Sequence, residues 1–95
     1  MRLSLYSSKR TGAEPNLVAI QNPLLAGVPT VLVCPTGSDF RQSSLRAELR
    51  WQGETYIVAC ELARPIHRKV LRMIGEADAS GSARIMETFL SLLAR

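Results

Sequence analysis

The chain has little of what most catalytic chemistries are built from. One histidine, His67, and two cysteines, Cys34 and Cys60, occur in 95 residues. No C-x-x-C pair or His-containing ligand spacing joins them, which excludes a zinc site and a dithiol redox motif and leaves no metal or cofactor expected. Each cysteine sits in an apolar, β-like run, the setting of a buried free thiol. There is no Gly-x-Gly-x-x-Gly, Walker or Gly-x-Ser-x-Gly pattern, so nucleotide binding and serine hydrolysis have no motif behind them. Long apolar runs are missing too. Stretches such as residues 31–35 fall far short of the ~20 residues of a membrane span, and residues 1–6 lack the continuous apolar core of a signal peptide. A soluble, cytoplasmic protein with no membrane partner is expected.

What is present suffices for one core. Exchanging the two Tyr for the six Gly in the hydrophobic count gives 48 of 95 residues, about half, slightly above the globular norm and outside the disordered range. One domain spanning residues 1–95 is expected, and two-domain enzymes are excluded. A domain this small buries only about 60–70% of its extended surface, so the apolar excess points to a second copy or a partner that covers the remainder. Twelve Lys and Arg against eight Asp and Glu give a net charge of +4, and ten of the twelve cations are Arg. That is a mild bias towards an acidic partner or nucleic acid.

Most of the chain reads as short strands between turns. Leu3 and Leu5 alternate, the polar residues 7–14 form a loop, and Leu17-Val18-Ala19-Ile20 resumes extended structure. Asn22-Pro23 and Gly27-Val28-Pro29 fence off a short connection. Thr30-Val31-Leu32-Val33-Cys34 then has the β-branched, apolar character of a central strand, stopped by Pro35-Thr36-Gly37. Leu45, Ala47, Leu49 and Trp51 alternate with Arg46, Glu48 and Arg50, as a half-buried strand requires, and Gln52-Gly53-Glu54 turns it into Thr55-Tyr56-Ile57-Val58-Ala59. Pro65 interrupts the next segment, and residues 70–74 offer a last strand. From residue 80 to 93 the period becomes helical, with Ile85, Met86, Phe89, Leu90 and Leu93 as the inward stripe. Asp78 or Ser80 caps the helix, and Gly81 weakens its start. The expected architecture is mainly β with a C-terminal helix: five or six short antiparallel strands in a small SH3-like barrel or bent sheet.

The remaining candidates for function are cations and hydroxyls in loops. Lys9 and Arg10 lie in the first loop, Arg41 after the central strand, and Arg64, Arg68, Lys69 and Arg72 around the later strands, so several loops converge on one basic face. His67, among basic neighbours, reads as a surface residue rather than a general base. Such a face suits RNA cleavage without metal, an Arg stabilising the phosphorane while a hydroxyl or second basic group handles protons.

These segments also carry a resemblance. Met1-Arg2-Leu3-Ser4-Leu5-Tyr6-Ser7-Ser8-Lys9-Arg10, followed by Leu17-Val18-Ala19-Ile20-Gln21-Asn22-Pro23-Leu24-Leu25 and Pro29-Thr30-Val31-Leu32-Val33-Cys34-Pro35, resembles CcdB-type toxins. In those, a first strand ending in Tyr-x-x-Lys-Arg leads to a valine-rich strand and a short Asp/Asn-x-Leu-Leu connection. Gly53-Glu54-Thr55-Tyr56-Ile57-Val58, residues 61–65, Arg72-Met73-Ile74-Gly75-Glu76-Ala77 and the terminal helix resemble both CcdB and its relatives, the MazF and Kid (PemK) toxins. The resemblance implies a homodimeric toxin of a type II toxin–antitoxin module of the plasmid-maintenance kind, neutralised by an acidic antitoxin, with DNA gyrase as the target in the CcdB branch. In the MazF branch the target is single-stranded mRNA, cut without metal. It implies Arg10 with Thr36 or Ser38 as the catalytic groups if the chain is an endoribonuclease, and Lys9, Arg10, Arg41, Arg64, Arg68 and Arg95 as the antitoxin- or target-binding set. Two departures are visible: Leu92-Leu93-Ala94-Arg95 stands where CcdB has Trp-Gly-Ile, and Glu14 precedes Pro15 where MazF has Arg.

Overall fold

The computed structural model describes residues 2–9, 11–20 and 29–94. In order along the chain come β1 (Ser4–Ser7), β2 (Leu17–Ala19), β3 (Thr30–Gly37), β4 (Arg46–Trp51), β5 (Glu54–Ala59), β6 (Arg64–His67), β7 (Arg72–Glu76) and the helix α1 (Ala79–Leu93). The strands pair antiparallel in the order β4-β5-β3-β2-β1-β7, and β6 pairs with β3. The mainly β, helix-terminated architecture is therefore as expected, with seven strands among the described residues rather than five or six. The connection around Asn22, Pro23 and Gly27 lies outside them.

Both differences in strand content come from proline. Arg64–His67, where Pro65 argued against regular structure, is β6, and it pairs with β3 alone, the outer position where a strand tolerates a missing donor. Pro35 does not stop β3, which runs on to Gly37. The amide of Thr36 points to β2 and donates to the Asn16 carbonyl, so the adjacent Pro35 nitrogen faces the other edge. There β3 changes partner from β6 to β5, and a 3-10 turn, Cys60–Leu62, loops out between the two. No ladder bond is lost at Pro35 because none is offered there.

The sheet has to curl. The strands β6-β3-β2-β1-β7 span four strand spacings, about 19 Å if flat, whereas the five steps from His67 to Arg72 reach at most about 18 Å. That link also coils into a 3-10 turn, Arg68–Val70, so the two edges must approach each other and a half-barrel results. Its closure is visible at Gly75, where a Cβ would sit 3.2 Å from the Trp51 ring at the end of β4. The β4–β5 hairpin turns at Gln52 and Gly53, both with positive φ (50° and 78°), the mirror-image turn whose twist matches the strands.

The main core combines Leu3, Leu5, Val18, Cys34, Leu49, Tyr56, Val58, Cys60 and Ile85. A smaller one, Leu17, Ala19, Val31 and Val33, lies under Tyr6, Ile66 and Leu71. Central strands are thus covered on both faces. Asp78 caps α1, its carboxylate accepting from the Gly81 amide at 2.6 Å. Gly81 is what leaves room for that cap, since a Cβ would lie 2.9 Å from the same oxygen. It serves the helix start rather than weakening it.

The inward stripe of α1 differs from expectation. Gly81, Ser82 and Ile85 are buried and Met86, Phe89 and Leu92 pack on the core, while Leu90 and Leu93 are 54% and 67% exposed. At about 100° per residue, Leu90 lies roughly 140° round from Ile85, beyond the contact stripe. Ser82 accepts the Leu3 amide at 2.9 Å and so ties the helix to the start of β1.

Candidate functional site

The candidate cations separate into two groups. Arg72, at the start of β7, donates to the carbonyls of Lys9 and Gly12, at 3.3 Å and 2.8 Å, and thereby holds the loop after β1 against β7. This brings Lys9 beside Lys69, and with Ser8, Val70, Leu71 and Arg72 they line an open depression of about 390 Å³. A smaller hollow of about 160 Å³ opens under the β6–β7 link, lined by Tyr6, Val31, Arg68 and Leu71. Met73 and Val70, both more than half exposed, add apolar surface to the elements that carry the cations. Lys9, Arg68, Lys69 and Arg72 thus form one face in which positive charge and apolar surface alternate, suited to an extended acidic segment with apolar anchors or to nucleic acid.

Arg41 and Arg64 do not join that group. The Arg41 carbonyl accepts from Arg46, whose guanidinium pairs with Glu61 at 3.0 Å and lies 5.3 Å over the Phe40 ring. Arg64 is exposed on β6 opposite Val33. Arg10 and Arg95 lie outside the described residues. His67 is exposed, and its Nδ1 accepts from the Lys69 amide, a local cap on the 3-10 turn.

Of the two hydroxyls read as catalytic, Thr36 is only 4% exposed and donates to the Ile57 carbonyl at 3.0 Å, while Ser38 is exposed in the bend after β3. The loop before β2 is fastened alongside. Asn16 accepts the Ser8 amide, donates to the Ser8 hydroxyl, and offers its carbonyl to Thr36. Burial, and then the charges of Glu14 and Glu54, push the Tyr56 phenol above its ordinary value near 10. Two carboxylates therefore bias the field at Tyr56, the residue next to Ile57 on β5.

Sequence reasoning missed Tyr6, Asn16, Glu14 and Tyr56 as participants. Tyr6 had a signal, an aromatic out of phase with Leu3 and Leu5 on the first strand. Asn16 had none, because its role depends on a fold that brings Ser8 back to it. Among the described residues no cluster of His, Cys, Asp or Glu has the arrangement of a metal site, and no helix is long and apolar enough to cross a membrane.

The curled antiparallel sheet with its C-terminal helix is a half-barrel of the MazF-like fold. The solved MazE–MazF complex from Deinococcus radiodurans contains a chain similar to this one at 16% identity and a TM-score of 0.70, covering 97% of this chain and 89% of that one. No protein-family model matches the sequence. No curated protein matches it either.

Proposed function

We propose that the chain is the toxin of a type II toxin–antitoxin module, a growth inhibitor held in check by an acidic antitoxin segment. The observation that carries this reading is the shared fold with a chain of a MazE–MazF complex over 97% of the sequence. The face built from Lys9, Lys69 and Arg72 supports it, because an acidic extended peptide finds both charge complementarity and apolar holds there. The CcdB-like branch, with a protein target such as DNA gyrase, is favoured by the surroundings of Thr36. Its hydroxyl already serves Ile57, and the carboxylates of Glu14 and Glu54 act on the neighbouring Tyr56. Negative charge near a reacting phosphodiester opposes the build-up of charge in cleavage.

The MazF-like reading, metal-independent cleavage of single-stranded RNA, is favoured by the structural neighbour itself. The toxin reading and its two branches are tested in turn. Expression of the chain alone should arrest bacterial growth, and co-expression with an adjacent acidic reading frame should relieve it. Purified protein should then trap gyrase on supercoiled DNA without cutting RNA. Thr36→Val keeps the strand's shape and removes the hydroxyl. If that group does chemistry, RNA cleavage should fall about 10²-fold or more; a gyrase poison should stay toxic. RNA cleavage by the parent, lost in the variant, would replace the first branch by the second.

A further inference from the structure

Two nucleophilic groups have no part in the site described above. Cys34 on β3 and Cys60, the first residue of the 3-10 turn after β5, are both free and both buried, at 0% and 1% exposure. The β3–β5 ladder ends at the pair Thr36–Val58, and Cys34 and Cys60 each lie two residues beyond that pair, where β3 passes from β5 to β6. Both side chains enter the same core. Were the ladder continued in the same register the two would face each other, and opposed residues of antiparallel strands have Cα atoms roughly 4.5–5.5 Å apart, inside the range a disulfide spans. The two thiols shift each other's ionisation in opposite directions, and the Cys60 thiol donates to the Ile85 carbonyl of α1 at 3.9 Å.

We propose that Cys34 and Cys60 are an internal oxidation site, two thiols of one core that a low-molecular-weight disulfide converts into a Cys34–Cys60 disulfide. The proposal stands apart from the toxin reading. The reaction is thiol–disulfide exchange in two steps. A Cys60 thiolate attacks one sulfur of the oxidant, forming a mixed disulfide and expelling one thiolate of the reagent. Cys34 then loses its proton and attacks Cys60 Sγ, expelling the second. Two electrons pass from the protein to the reagent, which leaves as two thiols carrying the two protons.

Cys60 attacks first for a local reason. Its hydrogen bond with Cys60, together with burial, pushes the Cys34 thiol far above its usual value, whereas the same bond favours the Cys60 thiolate and burial opposes it. Access is limited by burial and by α1, whose Ile85 carbonyl accepts from the Cys60 thiol. Reaction therefore follows lifting of the helix, and mild denaturant should speed it. Once formed, the bond closes the loop through β4 and the β4–β5 hairpin, which restricts the unfolded chain.

The test uses the full chain, reduced, desalted and incubated with glutathione disulfide in sub-denaturing urea. The expected product is a chain with no covalent link to another, lighter by about 2 Da, with no titratable thiol and a single cross-linked peptide joining residues 34 and 60. Its melting temperature in native buffer should rise by at least about 5 °C over the reduced chain. Cys34→Ser should stop at the glutathione adduct on Cys60. Should that variant fail to fold, the cross-linked peptide and the melting shift of the parent chain still decide the matter. Two free thiols after prolonged exposure, stable adducts on both cysteines, disulfides between chains, or a lowered melting temperature would each overturn the proposal.

Discussion

At the scale of single residues, Gly75 is packed closely against the indole of Trp51. Its added Cβ would stand 3.2 and 3.3 Å from Trp51 ring atoms, so Gly75→Ala forces the indole or β7 to move and should cost about 1–3 kcal/mol in denaturant unfolding. Trp51→Phe removes the atoms that would clash, so the cost of Gly75→Ala measured in that background should shrink, a coupling that a double-mutant cycle reads directly. Equal costs in both backgrounds would show that the closure of the half-barrel does not rest on this contact. Tyr56 gives a pH-dependent counterpart. Its phenol is raised by burial, Glu14 and Glu54, so the folded chain keeps a proton that the unfolded chain releases near pH 10. The stabilising contribution is complete below that pH and is lost as pH climbs through and above it. Urea midpoints should fall on passing above pH 10, and Tyr56→Phe should flatten the part of that fall that belongs to this group.

At the scale of elements, α1 is held by fewer apolar residues than its amphipathic pattern offers. Ile85 is fully buried, Phe89 is half-buried against the core, and Leu90 is mostly exposed. Ile85→Ala should therefore cost about 2–5 kcal/mol, Phe89→Ala less than the 3–5 kcal/mol of a fully buried ring, and Leu90→Ala within about 0.5 kcal/mol of zero. A large loss at Leu90 with none at Ile85 would mean that the helix docks through its other stripe. Much of this element was legible beforehand: its period, a cap at Asp78 or Ser80 and its approximate limits all follow from local pattern, and the structure selects Asp78. Its rotation was not. The choice between Phe89 and Leu90 depends on where the 3-10 turns and strands leave room, and nothing local marks Ser82 as the acceptor of the Leu3 amide, which β1 brings to it.

At the scale of the whole molecule, the apolar residues left outside the cores become the relevant quantity. Leu62, Val70, Met73, Leu90 and Leu93 are exposed large hydrophobics in a small chain. Surface of this kind is covered most economically by a second copy, which closes by two-fold symmetry. Light scattering at tens of micromolar should give twice the chain mass, and a monomer mass under those conditions would remove the dimer from the proposed function. Substituting Met73 and Leu93 with Ser separately distinguishes which exposed patch carries the contact, because only the variant in the interface should dissociate.

The sequence alone determined what is periodic and local. Alternation at Leu45, Ala47, Leu49 and Trp51, the Gln52-Gly53 turn and the helical stripe all record a face that must be buried, and burial imposes a period on any chain that folds. The two buried free thiols follow equally from their apolar runs. Tertiary structure decided whatever depends on residues far apart. Pro35 and Pro65 were read as interruptions because a proline's cost is set by whether its nitrogen faces a partner, which only the pairing of β3 with β5 and β6 reveals. The same holds for the basic face. The sequence supplied the cations, but Arg72 reaching the carbonyls of Lys9 and Gly12 gathered Lys9 with Lys69 and left Arg41 and Arg64 elsewhere. Charge has no periodicity to betray its grouping, so the assembly of a site from loops is fixed by the fold that brings the loops together.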